Sequence, residues 1–166
     1  MPFRVVASRY EEDVAGGALA NARGKAREVA ARAGVPAGGA VLGSDTEVVV
    51  EGRALGKPAD AEAARAMLAM LSGRVHEVRT AVVLITERGE REALEATRVA
   101  VRVLSPSAAE WYLGRGEWRG RAGGYAIQGA GAALIERIEG DYTAVVGLPV
   151  PLVASLLVSE GLGPWR

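Results

Sequence analysis

Gly43-Ser44-Asp45-Thr46-Glu47-Val48-Val49-Val50, with Leu55-Gly56-Lys57-Pro58 close behind it, is the stretch whose reading decides the fold. The run Val48 to Val50 predicts a buried strand, and Glu51-Gly52 its turn. Asp45 falls at the opening edge of that strand, where a carboxylate can face a cleft rather than a core. Lys57 follows twelve residues later, on the far side of a short hairpin. A carboxylate and an ammonium brought together this way suit a phosphate ester: one holds metal or activates water, the other offsets phosphate charge. The same spacing also describes a surface salt bridge beside a hairpin, worth little energetically.

Working outward, Phe3 to Ala7 has strand character, and Glu11-Glu12-Asp13 is an acidic cluster just after it. Ala18 to Ala33 is built from good helix formers, and Gly34 with Pro36 ends it. Val41 to Val50 is the strand region, and Asp60 can cap a helix over Ala61 to Leu71. Val75 to Thr86 becomes continuously apolar, as a buried strand does, and Ala93 to Leu104 pairs with it in a long hairpin. Ser105-Pro106 opens a helix running to about Leu113. After a Gly- and Arg-rich loop, Tyr125 to Gln128 and Ala132 to Ile138 read as short strands, and Pro151 to about Ser159 as a closing helix. Hairpins mixed with crossover helices predict an α/β fold in one domain spanning 1–166.

Bulk composition removes several function classes. The chain has 166 residues, 49% hydrophobic, with 20 basic and 20 acidic side chains and no net charge. A general nucleic-acid binder needs a basic excess, so no nucleic acid polymer is expected as a partner. With no cysteine there is no disulfide framework and no thiolate metal site. His76 is the only histidine, so any Ser-His-Asp triad must use it and a multi-histidine metal centre is excluded. No run approaches a membrane span and the start is not a signal peptide, so no membrane contact and a cytoplasmic location are expected.

Asp45, Lys57, Arg74, Arg121 and Gln128 are charged or polar residues in glycine-flanked settings, where backbone can approach a ligand closely. The loop Gly120 to Gly129 could cradle phosphates, yet it matches no phosphate-binding fingerprint and reads equally as a plain connection. Gln128 could read a base edge, or be a buried amide satisfied by backbone. His76, Val78 and Thr80 share one strand face, where a lone histidine is usually a hydrogen-bonded structural residue. Glu11 and Glu12 gain chemical interest only if the fold brings them to Asp45, where two carboxylates could share a divalent cation. Lys25 is one of several basic residues on its helix and on its own reads as surface.

Taken in order, five segments resemble the Maf family of nucleoside triphosphate pyrophosphatases. They are Gly43-Ser44-Asp45-Thr46; Leu55-Gly56-Lys57-Pro58; Leu71 through Thr80; Ala122 through Gly129; and Glu139-Gly140-Asp141-Tyr142 with Val146-Gly147-Leu148-Pro149. The resemblance implies a two-lobed α/β fold around an extended mixed sheet, with a cleft between the lobes. It implies cleavage of a nucleoside triphosphate between the α and β phosphates, with magnesium or manganese as cofactor and a homodimer as the assembly. Asp45 would be the proton acceptor or a metal ligand positioning water, and Glu12 would assist the metal. Lys25 and Lys57 would contact phosphates, and Thr46 and Gln128 would help choose the base. Thr46 together with Tyr125-Ala126-Ile127-Gln128-Gly129 resembles the subgroup acting on dTTP and UTP.

Family members open with a Leu-Ala-Ser-x-Ser-Pro-Arg-Arg segment, which is absent ahead of Met1-Pro2-Phe3. A start codon assigned too late is the expectation; truncation and a true short form with weak or no activity are the alternatives. Hence a second class, a catalytically impaired nucleotide-binding protein linked to cell division and septum control, stands beside the enzyme. A third is a purine-directed enzyme of the inosine triphosphatase type.

Overall fold

A computed structural model describes residues 3–163. In chain order the elements are α1 (Gly17–Ala33), β1 (Val41–Val50), β2 (Arg53–Leu55), α2 (Ala61–Leu71), β3 (Val75–Thr86), β4 (Gly89–Val101), α3 (Pro106–Leu113), β5 (Ile135–Glu139), α4 (Tyr142–Val146) and α5 (Val150–Ser159). The sheet order is β2-β1-β3-β4-β5, with β1–β2 and β4–β5 antiparallel and Val48 opposite Leu55. The α/β class read from the sequence holds. Side chains of Asp60 and Ser105 accept the backbone N–H of Ala63 and Ala108, capping α2 and α3 as their sequences dictate.

The chain forms two compact units. One takes the chain up to Asp45, Thr80–Glu95 and the chain from Gly147 onward; the other takes Thr46–Arg79 and Ala96–Val146. In the first, the small side chains Ala18, Ala22 and Ala26 of α1 pack on Ala81 and Val83, while Val153 and Leu157 of α5 pack on Val82 and Leu84. Alternate residues of β3 are therefore covered from opposite faces, which is why this stretch is apolar without interruption. In the second unit Leu68 and Leu71 of α2 and Tyr112 of α3 join Val48, Val78 and Val99 in the larger core.

Three element assignments fail. Phe3 to Ala7 is not a strand: Phe3 is 87% exposed, and the segment is tied to α1 instead of to a ladder. Arg32 donates to the Ala7 carbonyl (2.8 Å), and Glu28 accepts from the Arg9 N–H (3.0 Å) and the Ser8 hydroxyl (3.2 Å). The Arg32 guanidinium, helped by the Arg9 N–H, pushes the Glu28 carboxyl down to about 2. Second, β4 begins at Gly89 and ends at Val101, earlier at both ends than expected. Third, Tyr125 to Gln128 is irregular and Gly129–Leu134 is a 3-10 helix, so only Ile135–Glu139 is strand. Gly123, Gly124 and Gly129 have φ of 70°, 71° and 67°, which breaks extended backbone, and the Tyr112 hydroxyl takes the Ala126 N–H a ladder would have used.

Candidate functional site

Gly43-Ser44-Asp45 divides its labour by the alternation of a strand. Gly43 faces α1 so closely that a Cβ would lie 2.6 Å from the Ala22 carbonyl oxygen and 2.8 Å from the Ala26 methyl. Two residues on, Asp45 shares that face and meets the neighbouring Asn21 and Lys25 of the same helix. Ser44 points the other way, its hydroxyl lying 2.9 Å from the Gly147 carbonyl and 3.1 Å from that of Ala81.

Asp45 sits in mid-strand rather than at an edge, and its side chain is only 12% exposed. Lys25 Nζ donates to Asp45 Oδ1 (2.5 Å) and to Glu12 Oε1 (2.6 Å). Asn21, one turn before Lys25, donates to Asp45 Oδ2 (3.3 Å) and to the Asp13 carbonyl (3.0 Å), and accepts the Asp13 N–H (2.9 Å). The Asn21 amide is thus fully committed, as a buried amide must be. Partial burial pushes the Lys25 ammonium down, but its bonds to Asp45 and Glu12 outweigh this, and its pKa lies above the usual value. Tyr10 packs its ring where Gly24 has no side chain. Asn21, Gly24, Lys25, Glu28 and Arg32 form one stripe of α1, and the segment from Ala7 to Asp13 is strapped along it.

The first unit therefore brings together Asp45, Glu12 and Lys25. Asn21, which sequence reasoning missed, is the residue that joins their supports. Lys57, Thr46 and Gln128 belong to the second unit. There Lys57 is exposed just beyond β2, and the Gly56 carbonyl accepts the Gly123 N–H (3.1 Å), so the Leu55-Gly56-Lys57 turn and the glycine loop are hydrogen-bonded neighbours. Gln128 is exposed, which overturns the buried-amide alternative. The loop that carries it is pinned at both ends. Tyr112 Oη accepts the Ala126 N–H (3.0 Å), and Glu117 accepts those of Ala130 (3.0 Å) and Gly131 (3.2 Å). His76 is buried with Nε2 2.8 Å from Tyr125 Oη, a structural residue of this loop. Arg74 pairs with Glu51 at the surface (3.3 Å), and Arg121 is exposed.

Among the described residues no group of three or more His, Cys, Asp or Glu converges. The donors at hand are two carboxylates, both within 2.6 Å of one nitrogen. That set fits a hard cation which keeps waters and shares itself with substrate phosphates, as magnesium does.

Comparison with known proteins bears on this arrangement. The chain is 49% identical to the dTTP/UTP pyrophosphatase of Pyrococcus furiosus, over 70% of this chain and 62% of that protein's length. It is 44% identical to the dTTP/UTP pyrophosphatase of Methylobacillus flagellatus, over 96% of this chain and 83% of that one. Against the dTTP/UTP pyrophosphatase of Moorella thermoacetica the identity is 44%, over 99% and 88%. Residues 1–160 match the family described as Maf-like protein. The ordered motifs, the Asp45 site and these relatives lead to one conclusion: the chain belongs to the Maf family.

Proposed function

We propose that this chain is a nucleoside triphosphate pyrophosphatase acting on dTTP and UTP, releasing the monophosphate and pyrophosphate. The observation that carries the reading is Asp45: a sheltered carboxylate held from both oxygens by Asn21 and Lys25, in a chain closely related to dTTP/UTP pyrophosphatases.

In this reading Asp45 aligns water and accepts its proton, because a carboxylate fixed by two donors keeps its direction during attack. Lys25 and Lys57 offset charge on the phosphates, and Glu12 and Asp45 would hold the cation. Thr46 and Gln128 help choose the base, a role the family resemblance supports. Magnesium or manganese, when bound, withdraws charge from the phosphates and the leaving group. The chemistry of the donor set supports such an ion. The family resemblance supports a homodimer and a cytoplasmic location; light scattering of the purified chain checks the first.

A pyrophosphate-release assay over dTTP, UTP, methylated GTP and ITP tests the proposal. dTTP and UTP should lead, and Asp45→Asn should lower kcat by about 10²–10⁴-fold with unchanged folding. No turnover of any nucleotide, or a variant as active as the parent, refutes it.

A further inference from the structure

Two acidic side chains from different segments, Glu12 before α1 and Asp45 in β1, converge on one point, and the Lys25 ammonium fills it (2.6 and 2.5 Å). We propose that Lys25 is the built-in counter-ion of the cation position, which it surrenders only to a metal–nucleotide pair, so that the protein refuses the metal alone. This rests on the pyrophosphatase reading of the same site.

The argument is electrostatic. An ammonium and a divalent cation cannot share two carboxylates: the ion needs the oxygens Lys25 already holds, and repels the charge it displaces. A displaced Lys25 therefore needs a new anion close by, which a polyphosphate supplies and bare metal does not. The exchange demands little of the backbone, since the ammonium rides on a four-carbon stem with rotatable bonds, whereas an arginine fork would be committed to its planar geometry. Its surroundings stay in place when it leaves. Asn21 holds Asp45 through Oδ2, not the Oδ1 that Lys25 uses, and it grips both the N–H and the carbonyl of Asp13, next to Glu12. The cation position is thus walled by Asn21 and filled by Lys25, two residues one turn apart on α1.

The test uses the full chain and Mn²⁺ as probe, with free and bound ion separated by electron paramagnetic resonance in the absence of nucleotide. Lys25→Met and Lys25→Gln should each bind Mn²⁺ at least about tenfold more tightly than the parent, although a lysine thought to serve the substrate has been removed. Adding Asp45→Asn to Lys25→Met should erase the gain. Unchanged or weaker Mn²⁺ binding by both folded variants overturns the proposal, as does a gain that survives Asp45→Asn. If neither variant folds, the parent chain decides the matter, because Lys25 and Lys57 are its only lysines. Acylation by a small amine-reactive ester, read by mass spectrometry, should leave Lys25 protected with Mn²⁺ alone and change its rate when dTTP carrying an α,β-methylene bridge is added too. Release of Lys25 by Mn²⁺ alone overturns it. Pyrophosphate release by the parent chain is scored separately: turnover without the Mn²⁺ gain sinks only the exchange, and the gain without turnover sinks only the pyrophosphatase reading.

Discussion

At the scale of single residues, two side chains show how burial decides a role. Lys25 is neutralised by close carboxylates and keeps its charge, whereas His76 is enclosed with only the Tyr125 hydroxyl on Nε2, and Nδ1 has no partner among the described residues. Burial pushes the His76 imidazole down to about 4 from its ordinary 6.5. An unfolded chain takes up that proton near pH 6.5 and the folded chain only near 4, so the unfolded state binds more protons in between. Stability from this source is whole above pH 6.5 and is lost as the pH falls toward 4. Urea titrations across that range should show the parent losing stability relative to His76→Gln; parallel curves would contradict this. Lys25 could have been found from the sequence by a different signal. Of the 20 basic residues, 18 are arginine, and the two lysines are Lys25 and Lys57. Where composition favours arginine so strongly, a lysine marks a position that needs a compact, mobile charge.

At the scale of elements, the sequence was most legible where a periodic pattern met a cap. The bounds of β1, α2, β3 and α3 were read correctly because Asp60, Ser105 and the alternation of β3 act locally. Tyr125 to Gln128 misled because its apolar residues look like a strand, while its path is set by Tyr112 and Glu117 from other segments. Phe3 to Ala7 misled for the same reason: Arg32 takes the Ala7 carbonyl, and Glu28 holds Ser8 and Arg9 just beyond it. Asn21 was invisible because its significance lies in distant Asp13 and Asp45. The loop clamp carries its own prediction. Glu117→Ala strips two N–H groups of their acceptor and should cost about 1–3 kcal/mol of stability. It should also raise KM for dTTP roughly three- to tenfold with a smaller change in kcat, since Gln128 sits next to the released turn. An unaltered KM in a destabilised protein would confine Glu117 to folding.

At the scale of the molecule, the division into two units follows no single cut in the chain. The unit that holds Asp45, Glu12 and Lys25 needs the stretch after Gly147, whose Val153 and Leu157 cover one face of β3 and whose Gly147 carbonyl meets Ser44. Burying those two apolar side chains is worth about 3–6 kcal/mol at ordinary transfer values. That is a large part of the about 5–15 kcal/mol by which whole proteins of this kind are stable. A chain ending at Val146 should therefore lose its cooperative melt and bind the dye ANS; a sharp transition with no dye binding would refute this.

The order of synthesis gives this layout a further meaning. Glu12, Lys25 and Asp45 leave the ribosome before α5 (Val150–Ser159), whose Val153 and Leu157 cover one face of β3 in the same unit. Acidic groups and amine must wait without a finished platform until α5 has emerged. A nascent chain stalled between β3 and α5 consequently carries Glu12, Lys25 and Asp45 without the finished packing of their unit.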